Sequence, residues 1–278
     1  MYLVLGIVVL VVAIIILFLK LPFSFVKKDF LRTVNHLIDK AGHTDALFTE
    51  EELKDLPTPV QRYIRHCGYI GKKKMDYMKA DFKDVTFRQG IKSPDLTIDY
   101  TQYNFVEQPN RMALISSSLY GIPFEGCDSY VNGFGRMRGI VGKLITIFNV
   151  TGEEMDKACL VTFLADSIMI PSSFLQDYIK WEEVDSNHVR AQISYYGITA
   201  AGTFTINDIG EITSFTTNDR AVYNSDGTMT YVKWTLTCED YTTNAEGIKH
   251  PTKMKAMWNY KDGDFIYFDS SNLYVEYD

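Results

Sequence analysis

The first nineteen residues, MYLVLGIVVLVVAIIILFL, carry no charge, and the run ends at Lys20. As an α-helix it would be about 28 Å long, the thickness of a bilayer's hydrocarbon core. A cleaved signal peptide needs a basic start, a shorter apolar run and a small-x-small site, and none is present. Met1–Leu19 therefore reads as a transmembrane helix. After Leu21-Pro22 the apolar positions Phe30, Val34, Leu37 and Ile38 recur at helical spacing, which predicts an amphipathic helix over Phe25–Ala41. It is expected to lie on the membrane surface or on the domain. Thr49 with Glu52 forms a capping box for a short helix ending before Pro57. A third helix is expected with Thr58 as cap, Pro59 at the first helical position and Gly68 as the stop. Its stripe, Val60, Tyr63, Ile64 and Cys67, would plug one end of the remaining domain.

From about Lys73 the period changes to two. Runs at 74–88, 96–106, 111–119, 143–150, 178–185, 188–197, 201–207, 211–219, 229–240, 252–261 and 264–277 are rich in Tyr, Phe, Thr, Val and Ile, with Gly, Asn, Asp or Pro between them. The alternation is clearest where Val232, Trp234, Leu236 and Cys238 share one face. One helix interrupts, capped by Thr151 and running through Met155, Leu160, Phe163 and Leu164, with Pro171 breaking it before a turn at Ser172–Asp177. A helix inserted in a curved antiparallel sheet covers its concave side. The fold class is thus mainly β (α+β): a transmembrane helix (1–20), a helical neck (21–70) and a curved antiparallel half-barrel (71–278) with a helical insert near 151–177.

Composition narrows the class. Aromatic residues make up 14% of the chain, suiting strands with one buried face. The net charge of −7, with basic residues spread singly, argues against nucleic acid. Cys67, Cys127, Cys159 and Cys238 form no CxxC pair; two disulfides are formally open to them, but they read as small buried hydrophobes.

Motifs for chemistry mostly fail. In GFGRMRGIVGK, Met137 stands where a phosphate loop needs glycine and Leu144 where it needs Ser or Thr, and Gly133-x-Gly135 lacks a third glycine. These glycines read as turn or bulge residues. His36, His43, His66, His188 and His250 show no metal-ligand spacing, and Ser116-Ser117-Ser118 lies on a strand without a nucleophile elbow. No cofactor, metal or catalytic residue is expected. The polar residues to examine are Asp128, Asp166, and Asp219 beside Arg220. Asp166 follows an apolar helical stripe, which points to a buried, ion-paired carboxylate.

The order of LPTPVQRYIRHCG, the D-x-Y-x-x-G-x-G element at Asp128, Tyr130, Gly133 and Gly135, and LADSIMIPSSFL resembles an uncharacterised bacterial membrane-anchored family, domain of unknown function 6544. Trp181, Asp219-Arg220, Trp234, Tyr241, Gly247, Pro251, Trp258 and the closing DGDFIYF extend the resemblance over nearly all of the chain beyond residue 50. Two departures are Thr162, where the family has a basic residue, and Asp166, where it more often has glutamate. The resemblance implies no established activity. It implies a half-barrel like those of bacterial lipoprotein carriers, which enclose an apolar cavity.

Three functions follow as expectations. The first is a non-enzymatic, membrane-anchored domain binding a lipid or other apolar ligand in the concave sheet. The second is an envelope structural or protein-interaction module with an exposed aromatic patch. The third is an enzyme acting through carboxylates near Asp166 and Arg220. The expected place is the cell membrane, single-pass: Lys20, Lys27, Lys28 and Arg32 behind the anchor favour a cytoplasmic domain, while the fold resemblance favours the opposite side.

Overall fold

The computed structural model describes residues 1–224 and 226–278. Its first elements are α1 (Tyr2–Lys20), with no buried residue, and α2 (Phe25–Lys40), which buries Val26, Phe30, Val34 and Leu37. Ser24 caps α2, its side chain accepting from the Lys27 N–H at 2.9 Å. The capping box forms as expected: the Thr49 N–H donates to Glu52 Oε2 at 3.2 Å and the Glu52 N–H donates to Thr49 Oγ1 at 3.4 Å, at the start of a 3-10 turn, Glu52–Asp55.

In α3 (Thr58–His66) the expected Thr58 side-chain cap is absent. The helix already includes Thr58, so its hydroxyl sits too far along to cap, and its backbone N–H instead donates to Glu183 Oε2 at 2.9 Å. Gly68 does end the helix, at φ +79°.

Six strands follow: β1 (Tyr77–Phe87), β2 (Leu96–Phe105), β3 (Arg111–Leu119), β4 (Ile122–Val131), β5 (Phe134–Val141) and β6 (Ile145–Val150). Then come α4 (Glu153–Asp166) and 3-10 turns at Ser167–Met169 and Pro171–Leu175. Ten strands complete the chain: β7 (Ile179–Glu183), β8 (His188–Tyr195), β9 (Ile198–Ile206), β10 (Ile212–Thr217), β11 (Ala221–Tyr223), β12 (Met229–Tyr231), β13 (Trp234–Thr243), β14 (Lys249–Tyr260), β15 (Gly263–Ser270) and β16 (Leu273–Tyr277).

Among the described residues, fourteen strands form one antiparallel sheet in the order β6-β5-β4-β3-β2-β1-β15-β14-β13-β10-β9-β8-β7, with β16 also against β1. β11 and β12 pair separately. Strands β4 and β5 were not among the expected runs, because Gly126, Gly135 and Gly139 break their apolar alternation. The runs 229–240 and 264–277 each divide in two. Thr151 does not cap α4 either: the N-cap is Gly152, at φ +119°, and no side chain caps it.

The sheet has to curl. From β5 to β9 is nine strand steps, about 43 Å if flat at ~4.8 Å each. Yet α4, a single helix, packs on both β5 and β9. The curl also brings the β4–β5 turn to the β8–β9 turn, where a Cβ on Gly133 would stand 2.7 Å from Tyr196 Cβ. Inside the curl α4 is mostly buried from Met155 onward, with Leu160, Val161, Phe163 and Leu164 fully covered. Tyr63, Ile64 and Cys67 of the α3 segment join the same core. On the outer face α2 packs on Phe105, Met112, Leu114 and Ile140. The order is therefore α2, sheet, α4.

Candidate functional site

Strand phase decides what points inward. On β2 the alternate residues Ile98, Tyr100, Gln102 and Asn104 are buried against the inner core; on β3, Arg111 stands in register with Asn104. Asp128 on β4 stands opposite Ala113, one pleat from Arg111 on the same face. Asp166, the last residue of α4, completes the cluster. Arg111 Nε donates to Asp166 Oδ2 at 2.7 Å, and Gln102 Nε2 donates to the same oxygen at 2.8 Å. Arg111 Nη2 also donates to the Tyr100 hydroxyl and to Gln102 Oε1.

Asp166 forms a buried ion pair with Arg111. Fifty-five positions separate Arg111 from Asp166, so nothing local in the sequence joins them. The available signal was three polar residues, Gln102, Asn104 and Arg111, on the buried phase of adjacent strands.

Asp219 and Arg220 point apart. Asp219 pairs with Lys157 of α4 at 2.7 Å and accepts from the Ala201 N–H at 2.8 Å, which ties the helix to β9. The Arg220 guanidinium lies 4.7 Å from the Trp234 ring centre and 5.0 Å from that of Trp258, and donates to the Tyr267 hydroxyl at 3.1 Å. Its Nε donates to Thr162 Oγ1 at 3.0 Å.

Burial pushes both the Asp128 and Asp166 carboxyls above the ordinary carboxylate range. For Asp128 the charges of Arg111 and Arg220 hold it back in part; for Asp166, Arg111 and then Gln102 do so. Asp128 Oδ1 and Asn104 Nδ2 are buried with no hydrogen-bond partner among the described residues. The cluster is closed: Gln102, Asn104, Arg111 and Asp166 are all under 8% exposed. Its evident work is to lock the C-terminal end of α4 onto β2 and β3. Among the described residues no three His, Cys, Asp or Glu side chains converge as metal ligands.

An open site lies on the outer face and was not anticipated. A cleft of roughly 250 Å³ runs between α2 and β3–β5, lined by Val26, Phe30, Met112, Cys127 and Val131 with Asp29, Thr33, Ser129, Arg136 and Arg138. Neither arginine makes an ion pair among the described residues, although Arg136 Nε donates to Asn149 Oδ1 at 2.7 Å. A second recess of roughly 270 Å³ lies at the other end of α2, where Lys79 and Glu276 pair at 3.4 Å.

The fold and sites define an α+β protein: an antiparallel sheet curled around one central helix, preceded by an apolar helix. The chain belongs to a family of unknown function, DUF6544, which matches residues 46–270. No curated protein matches it. Among solved structures it is similar to a Vibrio parahaemolyticus domain named for outer membrane lipoprotein sorting, at 11% identity and a TM-score of 0.31 over 73% of this chain and 84% of that one. It is also similar to a DUF1329 family protein from Desulfovibrio piger ATCC 29098, at 13% identity and a TM-score of 0.35 over 81% and 93%. Likeness at that level bears on neither ligand nor activity.

Proposed function

We propose that the chain is a membrane-anchored, non-enzymatic binding domain that takes an amphiphile with an acidic headgroup in the cleft between α2 and β3–β5. The observation that carries this reading is the pairing, in one cleft, of an apolar floor (Val26, Phe30, Met112, Val131) with Arg136 and Arg138 at its side. Val26 lies six residues beyond Lys20, within about 20 Å of the end of α1 even at full extension. A ligand leaving the bilayer would meet the cleft first. The volume suits a headgroup with the start of an acyl chain, just below the usual range for whole-ligand pockets.

The concave side, where the sequence reading puts an apolar ligand, is filled by α4, so the proposal moves the ligand outward. The closed state of Arg111 and Asp166 weighs against an enzyme built on them. Full-length protein purified in mild detergent is expected to carry an acidic lipid, identified by extraction and mass spectrometry. The Arg136→Glu/Arg138→Glu variant should lose it while keeping its circular dichroism. Equal lipid in both proteins, or none in either, would refute the proposal.

A further inference from the structure

We infer that the tips of the β3–β4 and β5–β6 hairpins enter the lipid interface beside α1, so that the bilayer holds the domain through a patch as well as through the helix. The inference rests on α1 crossing the membrane, as proposed above. The tips end on apolar side chains that the folded domain leaves in water. Tyr120 is 95% exposed, and Leu144 and Ile145 are each 65% exposed. The two tips are neighbours, since the Gly142 N–H donates to the Pro123 carbonyl at 2.8 Å.

What they adjoin is the end of α1. Lys143, immediately before the exposed residues of the second tip, turns its amine inward and donates to the Phe18 carbonyl at 3.2 Å and to the Leu21 carbonyl. It is only 7% exposed, and its amine lies 5.7 Å from the Phe18 ring centre. A lysine at a helix C-terminus satisfies carbonyls that the helix cannot and complements its dipole. Here it also fixes the tip at the depth where the apolar helix stops. In a membrane that depth is the boundary of headgroups and acyl chains, where aromatic residues concentrate.

Tyr120 and Gly121 form the two-residue tip of the first hairpin, at φ +51° and +78°, and the Tyr120 ring is almost wholly exposed. Nothing in the soluble fold accounts for an aromatic residue there, whereas a lipid interface does. Continuity with α1 selects lipid, rather than a protein partner, as the occupant.

The test uses the full chain in vesicles of three parts phosphatidylcholine to one part phosphatidylglycerol. An environment-sensitive fluorophore is placed at Tyr120→Cys, Leu144→Cys, Leu10→Cys or Ile209→Cys, one at a time, in a Cys127→Ser background, because Cys127 is only half-buried. Ile209 is exposed on the turn beside α3 and serves as the reference. Spin-labelled lipid is expected to quench positions 10, 120 and 144 at least threefold more than position 209. Quenching at position 10 with positions 120 and 144 like 209 would overturn the hairpin inference and leave the anchor standing. No quenching at position 10 would remove the anchor and this inference together. Shielding of 120 and 144 from aqueous iodide without lipid quenching would identify contact between copies of the chain and also overturn it.

Discussion

Replacing Arg111 by methionine tests the closed polar cluster. The change keeps most of the side-chain volume but removes the donor at 2.7 Å from Asp166, leaving that carboxylate with Gln102 alone, and it withdraws one of two positive charges acting on Asp128. Breaking a buried ion pair by deleting one partner costs about 3–5 kcal/mol, because the other charge stays buried. At about 2–4 °C per kcal/mol for a domain of this size, the melting temperature should fall by roughly 10 °C. Thermal unfolding of the detergent-solubilised full chain, followed through Trp181, Trp234 and Trp258, measures this. The loss should be largest near neutral pH and shrink in acid, where the stranded carboxyls protonate inside the fold and no longer need a partner. Adding Asp166→Asn to Arg111→Met should recover part of the loss, since the uncompensated charge is then gone. If Arg111→Met melts within 2 °C of the parent, or the double variant is worse than the sum of the singles, the cluster is not the lock described here.

Asp128 sets a pH dependence of its own. Its carboxyl is raised in the fold, so the stability linked to it is full below the unfolded value near ~3.9 and is lost as pH rises through the folded value; Asp128→Asn should flatten that decline in a series of melts. Gly135→Ala should destabilise by about 2 kcal/mol or more, read by chemical denaturation, because its Cβ would stand 2.6 Å from the Met155 carbonyl oxygen and α4 would have to shift. The four cysteines are free, and burial pushes the Cys67, Cys127 and Cys159 thiols up to about 12 and Cys238 higher still. Iodoacetamide at pH 8 should therefore leave Cys67, Cys159 and Cys238 unmodified in folded protein and alkylate all four in denaturant, as mass spectrometry would show.

Period made the helices and most strands legible. The stripe of Phe30, Val34 and Leu37 became the buried side of α2, and Trp234, Leu236 and Cys238 are buried as their alternation requires. Strands β4 and β5 were hidden by a different demand on the same residues: Gly135 is there because α4 lies against it, not because the chain turns. Helix caps at Thr58 and Thr151 misled because each threonine stands one position off the N-cap, Thr58 inside α3 and Thr151 before Gly152, and Glu183, far along the chain, serves α3 instead. Asp166 was legible as buried and paired, because an apolar stripe leads into it. Arg111 was not, because nothing local joins β3 to α4. The outer cleft needed the angle at which α2 crosses the sheet, which no period encodes.

Several residues that folding leaves unexplained share a place. Stability accounts for Arg111, Asp166, Asp219 and Arg220, each satisfied by partners that tie α4 to the sheet or fill an aromatic box. It does not account for Arg136 and Arg138 without ion pairs or for Tyr120, Leu144 and Ile145 in water. All of these lie on β3–β6 and their turns, the edge of the sheet that meets α1 and α2. Exposed apolar residues grouped on neighbouring tips mark an interaction surface, whereas ones scattered singly do not. Against a bilayer carrying acidic lipid both features lower the free energy of attachment, the tips by leaving water and the arginines by electrostatic attraction of about 1 kcal/mol each near the surface. The edge formed by β3–β6 thus carries both apolar tips and arginines without ion pairs on the side that a membrane helix would hold against lipid.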